Sequence, residues 1–429
     1  MQVLCFNTIN TLYNKGVQIA ELLAQEKEIL EGLIADGSLS EKDKNDLSEI
    51  YMQVEEMREK RLLINNLLEI YRDIKTVDTG ILYSGKKQKS VIINSLEQLK
   101  SLSREHGISI ICFSIDELDL EKELVSGILV SGDFVGSYIT QIPSYIYNLA
   151  LHEKTSSIRG MRRLRMMEKI TVINPVNRFN QSIIFDILAS ISDIDDLMLP
   201  YDKLSQAILL EFLQKYDLVF LVPERGLFVH KSIIIEKNID GMHNSYSINI
   251  GEDKVFCQEN YLFLNIRKLI KERKYMVLKG TRLLGRGGFP LEARVYIQKD
   301  ASGNWQVTEM LVKEENLQRG GERKGIYLLH DILADIFPEQ ADEVEEKLYS
   351  YSINICVYLS YYMCNLGSCT LDFVIDEKGN PYLLYFGGCE QNDHLFQIKN
   401  GELWWRYLKN SMAYLVFLRN QEKQNEGVV

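Results

Sequence analysis

Pro290-Leu-Glu-Ala-Arg-Val-Tyr-Ile-Gln-Lys-Asp300, Leu366-Gly-Ser-Cys-Thr-Leu-Asp-Phe-Val-Ile-Asp-Glu-Lys-Gly379 and Pro381-Tyr-Leu-Leu-Tyr385 are the stretches on which the fold of this chain turns. In the first, Leu291, Ala293 and Val295 alternate with Glu292 and Arg294, the two-residue period of a strand with one buried face. Side chains at i and i+2 share a face, so a carboxylate and a guanidinium project together. They read either as an outward ion pair on a solvated sheet or as Arg294 aimed at a phosphate. In the second stretch Asp372 lies between Leu371 and Phe373. An acid inside such a strand can hold magnesium, which takes carboxylate oxygens alongside phosphate oxygens. Asp376-Glu-Lys-Gly379 supplies turn residues and predicts a hairpin into the third stretch.

Upstream, Leu218–Val222 and Ser232–Glu236 read as a strand pair, and Thr171-Val-Ile-Asn-Pro175 as a strand leading to a helix near 182–190. Gly285-Arg-Gly-Gly288 is a flexible cationic loop, a turn or a backbone cradle for phosphate. From Thr79, the strands Gly80–Tyr83 and Ile108–Phe113 flank a helix over 91–106, a β-α-β pattern; 125–130 and 145–149 read as further strands. Gly80-Ile-Leu-Tyr-Ser-Gly-Lys-Lys87 approaches a phosphate loop, but Lys87 stands where a hydroxyl is needed and 86–90 is a poor helix start. It reads as a strand followed by a basic loop.

Before Lys75, Leu12, Ile19, Leu22, Leu23, Ile29, Leu30 and Leu33 recur at helical spacing. Asp36-Gly-Ser38 breaks the run, and a second run from Leu47 to Ile70 follows. The pair predicts an antiparallel helical hairpin. Its charged faces are solvated or form a surface for a protein partner or self-association. The expected organisation is a helical hairpin over 1–75, an α/β domain over 76–170, two α+β lobes over 171–420 and a polar tail over 421–429.

With 429 residues, 46% hydrophobic and 25% charged, the chain has the composition of a globular protein of two or three domains. A net charge of −11 argues against a broad nucleic-acid surface. No apolar run reaches the roughly 18 residues of a membrane span, and the N-terminus lacks the basic and apolar regions of a secretory signal. The seven cysteines show no C-x-x-C pair and read as reduced, buried thiols; six scattered histidines offer no H-x-x-x-H metal pair. A cytoplasmic location is expected.

The order of features from about Thr79 to Leu418 resembles the YheC/YheD-type ATP-grasp family of endospore-associated proteins. Thr79-Gly-Ile-Leu is similar to the start of a Rossmann-like pre-domain, and Val172-Ile-Asn174, Leu199-Pro200 and Tyr216–Pro223 to the strands and helix that follow. Glu292, Arg294, Gln298 and Trp305 are similar to an acid-x-Arg strand, Asn316 and Gly320-Gly321 to an Asn near Gly-Gly, and Asp372 to an acidic hairpin. The resemblance implies an ATP-grasp domain of two lobes, ATP and magnesium as cofactors, and carboxylate-amine ligation through an acyl phosphate. It also implies an association with the spore.

The departures concern the nucleotide. The family's two gripping lysines fall on Gln181 and Val222, its Gly/Ser-rich loop on Glu224-Arg-Gly-Leu-Phe-Val-His230, and its closing Glu-x-Asn on Tyr385-Phe-Gly387. What remains is Arg294 and Glu292 for catalysis, Arg294 and Asn316 for the nucleotide with Lys279 as a substitute cation (Lys231 and Lys237 being others), and Asp372 for the metal. Phosphoryl transfer rests almost wholly on positioning and charge neutralisation. The expectation is therefore a catalytically impaired member with a binding or scaffolding role; the alternative is an active ATP- and magnesium-dependent ligase.

Overall fold

The computed structural model describes residues 77–426, apart from 153, 226–232, 239–244, 251–252, 282–284, 287–288, 291, 316–323, 389–394 and 396–400, with isolated helical positions before residue 57. The helical hairpin expected over 1–75 lies outside the described residues but for those positions. The chain forms two compact units, one of residues 1–80 and 96–143, the other of residues 81–95 and 144–429.

In chain order the first elements are β1 (Thr79–Tyr83), α1 (Gly85–Asn94), α2 (Leu96–His106), β2 (Ser109–Ser114), β3 (Leu118–Asp119), β4 (Leu124–Ser131), β5 (Phe134–Gln141) and β6 (Tyr145–Asn148). In the smaller unit β4 pairs antiparallel with β2, β3 and β5. The single helix predicted over 91–106 is two helices, and the basic loop predicted after β1 is the first turn of α1. Two side chains explain this. Gln88 accepts the Ser84 N–H at 2.7 Å and donates to Leu149 O at 2.8 Å, which fixes the start of α1 despite its poor sequence. Ser95 Oγ donates to Val91 O at 2.7 Å and caps its end.

The larger unit continues with α3 (Thr155–Arg165), β7 (Thr171–Ile173), α4 (Gln181–Leu188), β8 (Tyr201–Lys203), α5 (Gln206–Lys215), β9 (Leu218–Pro223), β10 (Ile233–Asn238), β11 (Ser245–Ile250), β12 (Asp253–Gln258), α6 (Glu259–Ile270) and β13 (Tyr275–Lys279). β6 and β7 pair in parallel. β8 to β13 make an antiparallel six-stranded sheet in the order β12-β11-β10-β9-β13-β8. Leu209, Phe212 and Leu213 of α5 and Leu262, Ile266 and Ile270 of α6 cover one face of it, against Val219, Leu221, Ile233, Ile235 and Val277.

A two-residue pair, β14 (Gly285–Arg286) and β15 (Phe289–Pro290), leads into β16 (Glu292–Lys299), β17 (Trp305–Glu315), β18 (Lys324–Leu328), α7 (Leu329–Ile336), α8 (Ala341–Tyr362), β19 (Ser368–Ile375), β20 (Pro381–Gly387) and α9 (Glu402–Glu426). Gly285 and Arg286 of the predicted loop thus lie on a short strand paired with Phe289 and Pro290. β16 to β20 form a five-stranded antiparallel sheet in the order β18-β17-β16-β19-β20. Ala293, Val295, Ile297, Leu371 and Phe373 point to one face and bury against Leu333 of α7 and Val344, Leu348, Ile355 and Leu359 of α8. The predicted turn forms: Asp376 Oδ1 accepts the N–H of Lys378 and Asn380 at 2.9 and 2.8 Å, and Gly379 takes a φ of 79°, where a side chain is strained.

Candidate functional site

Period-2 alternation sends Glu292, Arg294, Tyr296 and Gln298 to the face of the five-stranded sheet opposite α7 and α8. Asp372 on β19 stands in register with Arg294 on β16, and Tyr385 on β20 in register with Asp372. Arg294 and Asp372 are both 1% exposed. Arg294 Nε donates to Asp372 Oδ1 and Nη2 to Oδ2, each at 2.5 Å, a two-pronged guanidinium–carboxylate bond. Burial opposes the charge on Arg294. The charge of Asp372 and its hydrogen bonds outweigh burial, and the guanidinium ends more basic than usual. Arg294 is therefore not an outward residue on a solvated sheet: it is buried and bonded to Asp372, and the charge of the half-buried Glu292 on the same face acts on it as well.

Gln181, expected at the place of the family's first lysine, is fully buried at the start of α4. Its Oε1 accepts the Phe386 N–H and its Nε2 donates to Phe386 O, both at 2.9 Å, a latch from α4 to β20. Glu224 is the first residue after β9, and residues 226–230 of the expected phosphate-covering loop lie outside the described residues. Glu224 is buried at the end of β9, where its backbone O accepts the Gln181 N–H at 2.8 Å and its carboxylate accepts from Asn180 Nδ2 at 3.3 Å.

Val222 is also fully buried. With Phe220 of β9 and Met276 and Leu278 of β13 it meets Val374 of β19, Leu384 and Tyr385 of β20, Phe185 of α4 and Leu199 in one apolar cluster. The two sheets face each other through these side chains. Lys279 follows Tyr275 and Val277 in the alternation, on the other face of its sheet. Its ammonium lies 5.5 Å from the centroid of the Tyr216 ring, so it does not join Arg294 and Asp372. Asn316 lies outside the described residues. Of the predicted site residues the structure brings together Arg294 and Asp372, with Glu292 beside them, and sets Lys279 apart.

Magnesium-ATP would need cations for its phosphates and oxygen ligands for the metal. Among the described residues that donor set does not fit. Asp372 is consumed by Arg294, and Tyr385 offers an aromatic ring in the cluster. A Cβ at Gly387 would lie 2.8 Å from Thr370 Oγ1 and 3.1 Å from the Tyr385 ring, which leaves no room for a liganding side chain without a shift. The Gln181 latch and the Arg294–Asp372 pairing escape a reading by motif. The one sequence signal for the pair is that both residues sit mid-strand on the same parity in two stretches joined into one sheet.

Residues 169–418 match the YheC/D-like ATP-grasp family model. The chain belongs to this family. No curated protein matches the sequence. Among solved structures, this YheC/D-like ATP-grasp protein is similar to the ATP-grasp ligase PsnB complexed with a minimal precursor, at 12% identity and a TM-score of 0.47, covering 80% of this chain and all of that one. It is also similar to the D-alanine-D-alanine ligase of Coxiella burnetii, at 10% identity and a TM-score of 0.44, covering 82% and 96% of the two chains. Likewise, D-alanyl-alanine synthetase A of Vibrio cholerae O1 biovar eltor aligns at 12% identity and a TM-score of 0.45, covering 80% and 99%. Among the described residues no helix is long and apolar enough to cross a membrane.

Proposed function

We propose that this YheC/D-like ATP-grasp protein keeps the fold but not the nucleotide grip, and serves as a binding or scaffolding protein associated with the spore. The observation that carries the reading is the buried Arg294–Asp372 bond beside the apolar cluster that includes Val222. The family's phosphate-facing arginine and metal-facing aspartate neutralise each other here. Admitting a polyanion at Val222 would part a contact of nine buried side chains, each worth about 1.5–3 kcal/mol. That exceeds the roughly 8 kcal/mol of a micromolar ligand. In addition, each charge-assisted hydrogen bond lost at Gln181, Val222, Tyr385 and Gly387 removes about 1.5–3 kcal/mol from the grip.

Calorimetric titration of ATP, with and without magnesium, tests this. The expected result is millimolar binding or weaker and no enzyme-like hydrolysis. Micromolar, magnesium-dependent binding that Asp372→Asn abolishes would overturn the reading and restore an active carboxylate-amine ligase. The scaffolding role places the binding surface outside the sheet interface, with the segment before residue 75 as the arm for a partner or a second copy.

A further inference from the structure

Cys356 on α8 and Cys369 on β19 meet inside the core of the five-stranded lobe. Both are buried, and their Sγ atoms are 2.9 Å apart. That is tighter than two thiols in ordinary contact and within a small side-chain rotation of the ~2.05 Å of a bonded pair. Of the other described cysteines, Cys112 and Cys257 lie on other strands, and Cys364 is exposed in the connection between α8 and β19.

We propose that Cys356 and Cys369 are a redox-modification site, forming an intrachain disulfide that ties α8 to β19. The oxidant is a small-molecule disulfide. The Cys356 thiolate attacks one sulfur of that molecule, forms a mixed disulfide and expels the first thiolate. The Cys369 sulfur attacks Cys356 Sγ, gives up its proton and expels the second. Two thiol protons and two electrons pass to the oxidant, which leaves as two thiols. Burial holds the Cys369 thiol well above its ordinary pKa, so the exchange is slow while the core is closed and proceeds through local opening of α8.

The bond matters for the lobe because β19 also carries Asp372, three residues beyond Cys369, and α8 covers the apolar face of the same sheet. A covalent tie there restricts the unfolded chain and resists separation of helix from strand.

The test uses the full chain in a glutathione redox buffer, both folded and after refolding from denaturant, followed by alkylation and peptide mapping. The expected product is a linked pair of peptides containing Cys356 and Cys369, lighter by two hydrogens, with Cys364 alkylated or carrying glutathione. The oxidised chain should also melt several degrees above the reduced one, a difference lost in Cys356→Ala and in Cys369→Ala but kept in Cys364→Ser. Alkylation of both Cys356 and Cys369 in the folded and the refolded samples would overturn the proposal. So would a linkage through Cys364.

Discussion

The five-stranded sheet keeps Arg294 and Asp372 at the middle of its inner face, whereas the six-stranded sheet opposite presents Phe220, Val222, Met276 and Leu278. In the proposed reading, charges have gone from one surface and stayed on the other, and the physics of burial gives a reason. A lysine that meets only a ligand can be replaced by valine with a gain of apolar contact. An arginine and an aspartate that satisfy each other cannot be lost singly, because the survivor would be a buried, unpaired charge. In the reading proposed above, the ion pair is what is left of a phosphate-and-metal pair, held in place because each charge satisfies the other.

The strongest attempt to break this comparison is Val222→Lys, which puts a lysine where the resemblance expects one. If the surface is as apolar as the cluster implies, the lysine is held neutral in the folded state. Deprotonating a side chain of pKa near 10.4 costs about 4–5 kcal/mol at pH 7. The folded pKa is the depressed one, so the unfolded state binds the extra proton and the cost eases as pH rises toward 10. Denaturant melts at pH 7 and 9 check both the size and the sign; a variant as stable as the parent would mean a wet, open cleft.

Asp372→Ala comes next. It removes the two-pronged partner of the buried Arg294 guanidinium, and the expected loss is about 3–5 kcal/mol in a denaturant melt. The double variant Arg294→Met with Asp372→Leu sharpens the point, since removing both charges together should restore most of that loss. If the two single losses simply add in the double variant, the pair is not coupled.

Gln181→Ala should cost less, about 1–3 kcal/mol, because it leaves the Phe386 N–H and C=O without their side-chain partner. Hydrogen exchange at the Phe386 amide should speed up with it. An unchanged exchange rate would separate α4 from the stability of β20.

The smallest effect is at the surface. His330 on α7 is made more basic than an ordinary histidine by its hydrogen bond to Glu345 and then by that residue's charge. The folded state holds the proton more tightly, so the contribution to stability is complete below the unfolded pKa and fades as pH rises through the folded one. An NMR titration should show the raised value, and Glu345→Gln should bring it down. This exposed pair is the counterpart of Arg294–Asp372: similar chemistry, but screened by water.

Alternation and turn residues were enough to read β16, β19 and β20 and the hairpin at Asp376. The strand pair around Leu221 and Ile234 and the helix after Asn180 were legible in the same way. Period-2 spacing also placed Arg294 and Glu292 on one face. The misreadings fall where a distant side chain decides a local outcome. Helix α1 begins at Gly85 because Gln88 reaches Leu149, and residues 61 positions apart carry no local pattern. Lys279 seemed available as a replacement cation, yet its parity along β13 turns it toward Tyr216, and which parity faces the cleft is fixed only when the two sheets pack.

By itself the sequence determined that this is a YheC/D-like ATP-grasp chain, and it gave the expectation that Gln181, Val222, Tyr385 and Gly387 depart from the family's grip. Those statements depend on residue identity and order. The tertiary structure decided what the departures became: Gln181 a latch on Phe386, Val222 part of the sheet-to-sheet contact, and Arg294 and Asp372 partners in one buried bond. Their joining is a matter of register between strands 78 residues apart in the chain, and register is set by which faces bury against α7 and α8, a property of the assembled sheet rather than of either strand.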